Sequence, residues 1–196
     1  MNAALLADLW VGTLRDPRSV ARWLLGLNLP MSARWLALLA VAAVAAILVS
    51  LTGYVAPAGT PSDARLLLEA PMPGFAFQVL STLVLALTMA MTGRWFGSAV
   101  PFADAMLLAT WIEAMTLPPT LLEVVLMLIA APAVFIVAVA TLIGFFYVLL
   151  NMTAELHRSP GVGKVAVAGL ATLFVFSLIL AILMLVLGID PPMGAV

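Results

Sequence analysis

The amino-acid sequence predicts an all-α polytopic membrane bundle of five transmembrane helices, preceded by an N-terminal amphipathic segment at the membrane interface. Three observations predict it. Hydrophobic residues make up 65% of the 196 positions and charged residues only 9%, against about a quarter charged in soluble domains. Apolar runs of about 18 residues or more, the length that crosses hydrocarbon as helix, recur along the chain. Lysine and arginine, finally, sort to one side of the membrane when the chain crosses five times.

The first thirty residues read as two helices. No short apolar core leads to a small-residue cleavage site, so no signal peptide is expected. Leu5, Leu6, Leu9 and Trp10 recur at helical spacing, and Asp16-Pro17 supplies an N-cap followed by proline at the first helical position, where a missing N–H costs nothing. In the helix that starts there, Val20, Trp23, Leu24 and Leu27 form an apolar face, with Arg15, Arg18 and Arg22 on the other side. Such a helix suits the headgroup layer, so Trp10, Arg15, Arg18, Arg22 and Trp23 are expected to anchor residues 1–30 at the interface. The competing reading is an amphipathic helix docked on the bundle.

Residues 31–196 form the five-span domain, with spans at about 35–53, 75–93, 102–131, 132–157 and 164–188. The first is an Ala/Leu/Val run in which Ala42, Ala43, Ala45 and Ala46 offer a smooth surface for close helix approach. Residues 55–74 are a proline-punctuated loop with a short surface helix expected over 62–70. Gly93-Arg94-Trp95-Phe96-Gly97 closes the second span and reads as a turn and cap rather than a dimer motif, because its glycines sit at the membrane border. Pro118-Pro119 breaks the third span, which is either one tilted helix or a re-entrant pair. Ser159-Pro160-Gly161 ends the fourth.

Charge placement orients this threading. Arg15, Arg18, Arg22 and Arg34 precede span one, Arg94 follows span two, and Arg158 and Lys164 separate spans four and five. Seven of the eight basic residues then share one side, leaving Arg65 on the other. Positive charge gathers on cytoplasmic loops, which places the N-terminus in the cytoplasm and the C-terminus across the membrane. Splitting the third span at Pro118 would move Arg158 and Lys164 outside, so the tilted helix is preferred.

Composition also excludes chemistry. Without cysteine there is no disulfide, thiolate nucleophile or Cys-based metal site. A single histidine builds no imidazole cage. No nucleophile stands beside a base in sequence, and no phosphate loop or paired haem-ligating histidines occur. No catalytic residue, metal or cofactor is therefore expected, and nothing points to nucleic acid.

Two groups of polar residues remain as candidates. Glu113 lies eleven residues past Phe102, about 17 Å into its span and so near mid-membrane, where an ionised carboxylate costs several kcal/mol unless paired or hydrated. It is either a proton, ion or substrate site in a small transporter or channel, or a hydrogen-bonded group that fixes helix packing. Glu123 and Trp111 are the other intramembrane polar candidates. At the cytosolic edge, Arg94, Asp104, Asn151, Glu155, His157 and Arg158 converge in an expected ion-paired cluster. It reads as a latch on the helix ends, with a proton relay as the alternative because an ordinary imidazole changes charge near neutral pH. Asp104, Glu155 and His157 have no metal-selecting spacing.

Taken in order, Thr13-Leu14-Arg15-Asp16-Pro17-Arg18, Gly93-Arg94-Trp95-Phe96-Gly97, Phe102-Ala103-Asp104-Ala105 with Trp111, and Asn151-Met152-Thr153-Ala154-Glu155-Leu156-His157 resemble the bacterial branch of the Yip1 family. The resemblance covers most of the chain. It implies five transmembrane helices with a cytosolic N-terminus, in a bacterial inner membrane with the C-terminus in the periplasm. Eukaryotic relatives bind prenylated small GTPases, a role not carried over here because only a short segment precedes the first span. Ser98 stands where the family often has a second glycine after Gly97, and Arg158 where glycine often follows the histidine. The expected function is a non-enzymatic scaffold or accessory subunit whose partners are membrane lipid and other membrane proteins or further copies of itself.

Overall fold

A computed structural model describes residues 3–55, 71–159 and 161–186, with side chains over 5–52, 72–159 and 161–178. Among the described residues the chain is helical with no strand: α1 (Ala3–Arg15), α2 (Pro17–Gly26), α3 (Met31–Val55), α4 (Pro71–Thr92), a 3-10 turn (Gly93–Phe96), α5 (Phe102–Ile129), α6 (Ala131–Leu156) and α7 (Val162–Val186). Four segments, Met31–Thr52, Met72–Phe96, Phe102–Ile129 and Ala131–Leu156, are long and apolar enough to cross a membrane, and Val162–Leu178 of α7 is apolar too. The chain is thus a helical membrane bundle. The surface helix expected over 62–70, Arg65 and the far end of the span expected at 164–188 lie outside the described residues.

Helix α5 is the centre. It packs against α2, α3, α4 and α6, while α7 packs on α4 and α6. Six consecutive residues of α5, 105–110, are buried, so its first turns are enclosed on every side, as expected for a helix apolar all round. Ala42, Ala45 and Ala46 of α3 are buried while Leu36 and Ile47 are exposed, so the small side chains do form the packed face of that helix. Helix α6 shows the opposite pattern in its first half, where Phe135, Ile136, Leu142 and Ile143 are exposed. An apolar surface of that kind belongs against lipid.

The third span keeps the preferred single-helix form but without the expected break: α5 runs continuously from Phe102 to Ile129 with Pro118 and Pro119 inside it and is not a re-entrant pair. Pro119 lacks the N–H that the Met115 carbonyl would otherwise receive, and the Trp10 indole of α1 donates to that carbonyl at 3.1 Å. A helix interior tolerates proline where a neighbour satisfies the freed group.

The N-terminal segment differs as well. Trp111 Nε1 donates to Thr13 Oγ1 at 3.0 Å, and Thr13, fully buried, donates to Leu9 O at 2.7 Å. Two side-chain hydrogen bonds thus tie α1 to α5, and Trp10 supplies one of them. In α2, capped by Asp16 Oδ1 on Ser19 N at 3.1 Å, the buried face is Pro17, Val20, Ala21 and Leu24. Trp23 and Leu27, expected on that face, are exposed.

Trp10→Phe replaces the indole by a smaller phenyl ring and removes the donor, and should destabilise the protein by about 1 kcal/mol or more. Pro119→Ala returns an N–H to the Met115 carbonyl, so on that background the same substitution should cost less. A double-mutant cycle in mixed-micelle unfolding that showed simple additivity would rule this pairing out.

Candidate functional site

Helices α3, α5 and α7 begin, and α4 and α6 end, at one end of the bundle, where α2 lies against α5 and α6. The polar residues gather there. Arg34, 8% exposed, places Nη1 at 2.7 Å from Asp104 Oδ1 and donates from Nε to Leu29 O at 2.9 Å. Asp104 occupies the first turn of α5, where the helix dipole favours a carboxylate. Arg22 of α2 pairs with Glu155 near the end of α6 at 2.9 Å. Arg18 makes longer contacts, 3.4 Å to Asn151 Oδ1 and 3.5 Å to Ser159 O, while Asn151 donates to Tyr147 O at 2.9 Å.

His157 caps α6 and is buried. Its Nε2 lies 2.8 Å from Met89 O of α4. A carbonyl only accepts, so Nε2 carries the proton, and in the neutral ring Nδ1 accepts from Ser98 Oγ at 3.1 Å. Phe96 meets the ring edge-on at 5.6 Å. Gly93 makes this packing possible, because a Cβ there would fall inside the imidazole. Gly97, at φ +77°, lets Ser98 N reach Gly93 O at 2.9 Å, the 6→1 bond of a glycine C-cap. Gly93-Arg94-Trp95-Phe96-Gly97 is thus a cap. Trp95 Nε1 ties it to Thr172 of α7 at 3.0 Å.

Arg158 adopts φ +50°, and Ser159 N reaches Ala154 O at 2.8 Å, which is the same capping turn with arginine in the place glycine usually takes. Around it lies a groove of about 640 Å³ lined by Arg22, Ser98, Asp104, Glu155, His157 and Arg158. Of the cluster expected at one edge, Asp104, Glu155, His157 and Arg158 line this groove, whereas Arg94 and Asn151 do not. Asp104 pairs with Arg34 and Glu155 with Arg22, and among the described residues neither Arg94 nor Arg158 makes an ion pair. Arg94 and Arg15 are exposed.

The sequence reading has no nucleophile beside a base, yet Ser98 and His157 stand at hydrogen-bond distance. The serine's own N–H, the usual oxyanion donor in such a pair, is already given to Gly93 O. The pair joins the turn after α4 to the end of α6. Deeper in the bundle, Glu113 Oε2 accepts from Gln78 Nε2 of α4 at 2.9 Å. Gln78 was legible as the one amide in the second span, whereas Arg34 and Ser98 carried no such signal. The Thr141 hydroxyl donates to Val137 O at 2.9 Å and stands 3.5 Å from Glu123, so its single hydrogen leaves Glu123 little. Among the described residues no three metal-ligating side chains cluster.

No protein-family model, curated protein or solved structure matches this chain. Fold and site nonetheless define a class: an α-helical multi-pass membrane protein whose polar side chains clamp helix ends and helix pairs.

Gly93→Ala should destabilise by about 1–3 kcal/mol through overpacking, and His157→Ala on that background should return part of the loss. Arg158→Gly should raise the unfolding midpoint, by about 1 kcal/mol of relieved left-handed strain. A midpoint that stays the same or falls would contradict the turn geometry.

Proposed function

We propose that this chain is a non-enzymatic scaffold or accessory subunit of Yip1-like type in the bacterial inner membrane, where it binds other membrane proteins or organises lipid. One observation carries this reading: most of the chain's candidate polar groups are already met from within. Gln78 serves Glu113, Arg34 serves Asp104, Arg22 serves Glu155, and Ser98 with the Met89 carbonyl serves His157. What the protein presents outward is apolar helix surface, with Phe135, Ile136, Leu170 and Phe174 among its most exposed large residues. Such surfaces suit lipid or another membrane protein.

The transporter alternative drew on a broken third helix and a free intramembrane carboxylate. α5 is continuous and Glu113 is hydrogen-bonded, so both of its supports are weakened. Five crossings with a cytoplasmic N-terminus and a periplasmic C-terminus are favoured by the gathering of Arg18, Arg22, Arg34, Arg94, Arg158 and Lys164 near one end of the bundle, together with the positive-inside rule.

Extraction of the tagged full chain into native-membrane discs should recover a membrane-protein partner at fixed stoichiometry, and Glu113→Gln should leave that recovery intact. Ion or substrate flux in proteoliposomes that Glu113→Gln abolishes would reverse the assignment. Reporter tags should locate the two termini in opposite compartments, and finding them in the same one would refute the five-span threading.

A further inference from the structure

Where α4 ends and α7 begins, two turns abut. Ser98 and Phe96 of the first meet His157 of the second, at 3.1 Å to the hydroxyl and 5.6 Å between rings. These turns and the first turn of α7 carry Arg94, Arg158 and Lys164, all exposed. Among the described residues none of the three makes an ion pair. We propose that this corner binds an anionic phospholipid, its phosphate at Arg94 and Lys164 and an acyl chain along α7. The inference rests on the reading that the chain organises lipid, and it names the lipid.

Charge selects the headgroup. Lys164 lines a groove with Trp95, Phe96, Val167, Ala168 and Ala171, and no carboxylate lines it. At the same end of the bundle Asp104 and Glu155 are already engaged by Arg34 and Arg22, at 2.7 and 2.9 Å. The counter-charge therefore comes from outside the described bundle, and a basic residue at a membrane surface favours anionic lipid by about five-fold. A zwitterionic headgroup would bring its own ammonium among these cations, so a net-anionic one is selected.

The same groove supplies the place for the tail. Lys164, Val167, Ala168 and Ala171 follow the i, i+3, i+4, i+7 spacing of one helix face, with the cation in the first turn of α7. From there the apolar stripe continues for roughly 10 Å along the helix. Trp95 of the turn after α4 forms another wall, 59% exposed and held by its donation to Thr172 at 3.0 Å. An exposed apolar stripe alone fits lipid or protein, and exposed cations alone fit any anion. A cation at the helix end with the apolar stripe below it on one face fits a molecule with an anionic head and a hydrocarbon tail.

The test compares the full-length protein in discs holding equal amounts of phosphatidylglycerol and phosphatidylcholine with the same acyl chains. Native mass spectrometry should find phosphatidylglycerol retained in preference, and Arg94→Gln/Lys164→Gln should reduce that preference about ten-fold or more. Arg15→Gln, equal in charge but outside the groove, should leave it unchanged. Absence of preference in the wild type, or equal losses in Arg15→Gln and Lys164→Gln, overturns the proposal. Inorganic phosphate should not displace the lipid; displacement by it, or by a polyglutamate peptide, overturns the lipid assignment. If the double variant does not fold, salt decides: the wild-type preference should fall between about 0.1 M and about 1 M salt, as screening shortens from about 10 to about 3 Å. A preference indifferent to salt overturns the proposal. Recovery of a protein partner is a separate readout, so loss of lipid selectivity and failure of the scaffold reading are distinguishable.

Discussion

Hydrocarbon offers no hydrogen-bonding partner, and the architecture of this chain follows from that constraint. A helix satisfies its own backbone, but proline and polar side chains reopen the account at particular places. Several such places in the described bundle are closed by contacts between elements. The carbonyl freed by Pro119 is closed by Trp10, Glu113 by Gln78, Trp111 by Thr13, and the ring of His157 by Met89 O and Ser98. The pairs that hold helices together are thus largely the same pairs that keep polar atoms out of lipid.

This explains why α5 is the hub. It carries Asp104, Trp111, Glu113 and both internal prolines, so more of its groups need partners than those of any other described helix. α1, α3 and α4 each supply at least one. The enclosure of its first turns by apolar packing and the capture of its polar groups are complementary. Small alanines on α3 permit close approach, and at that distance the Arg34 guanidinium reaches Asp104.

The capping turns show the same economy at the helix ends. Gly93 has no side chain because His157 occupies the space, and Gly97 takes the left-handed conformation that returns the chain toward α5. Arg158 takes the corresponding conformation without being glycine. Isolated ion pairs at such an edge contribute little by themselves, so Arg22 with Glu155 is better understood as orienting α2 than as a source of stability.

Composition and hydropathy by themselves determined that this is a helical membrane protein, because the balance between apolar surface and charge depends on residue counts and not on their arrangement. Local chemistry determined the Asp16 cap, the turn at Gly93-Arg94-Trp95-Phe96-Gly97 and the end of α6 just before Ser159, since these depend on neighbours within a few residues. Only the tertiary structure decided which polar residue meets which. Arg34 and Asp104 are separated by 70 positions and Trp10 and Met115 by 105, and no periodicity along the chain encodes such pairings. The same limit explains the tie from α1 to α5: it depends on an acceptor that proline exposed on another helix, which becomes visible only once the helices are packed.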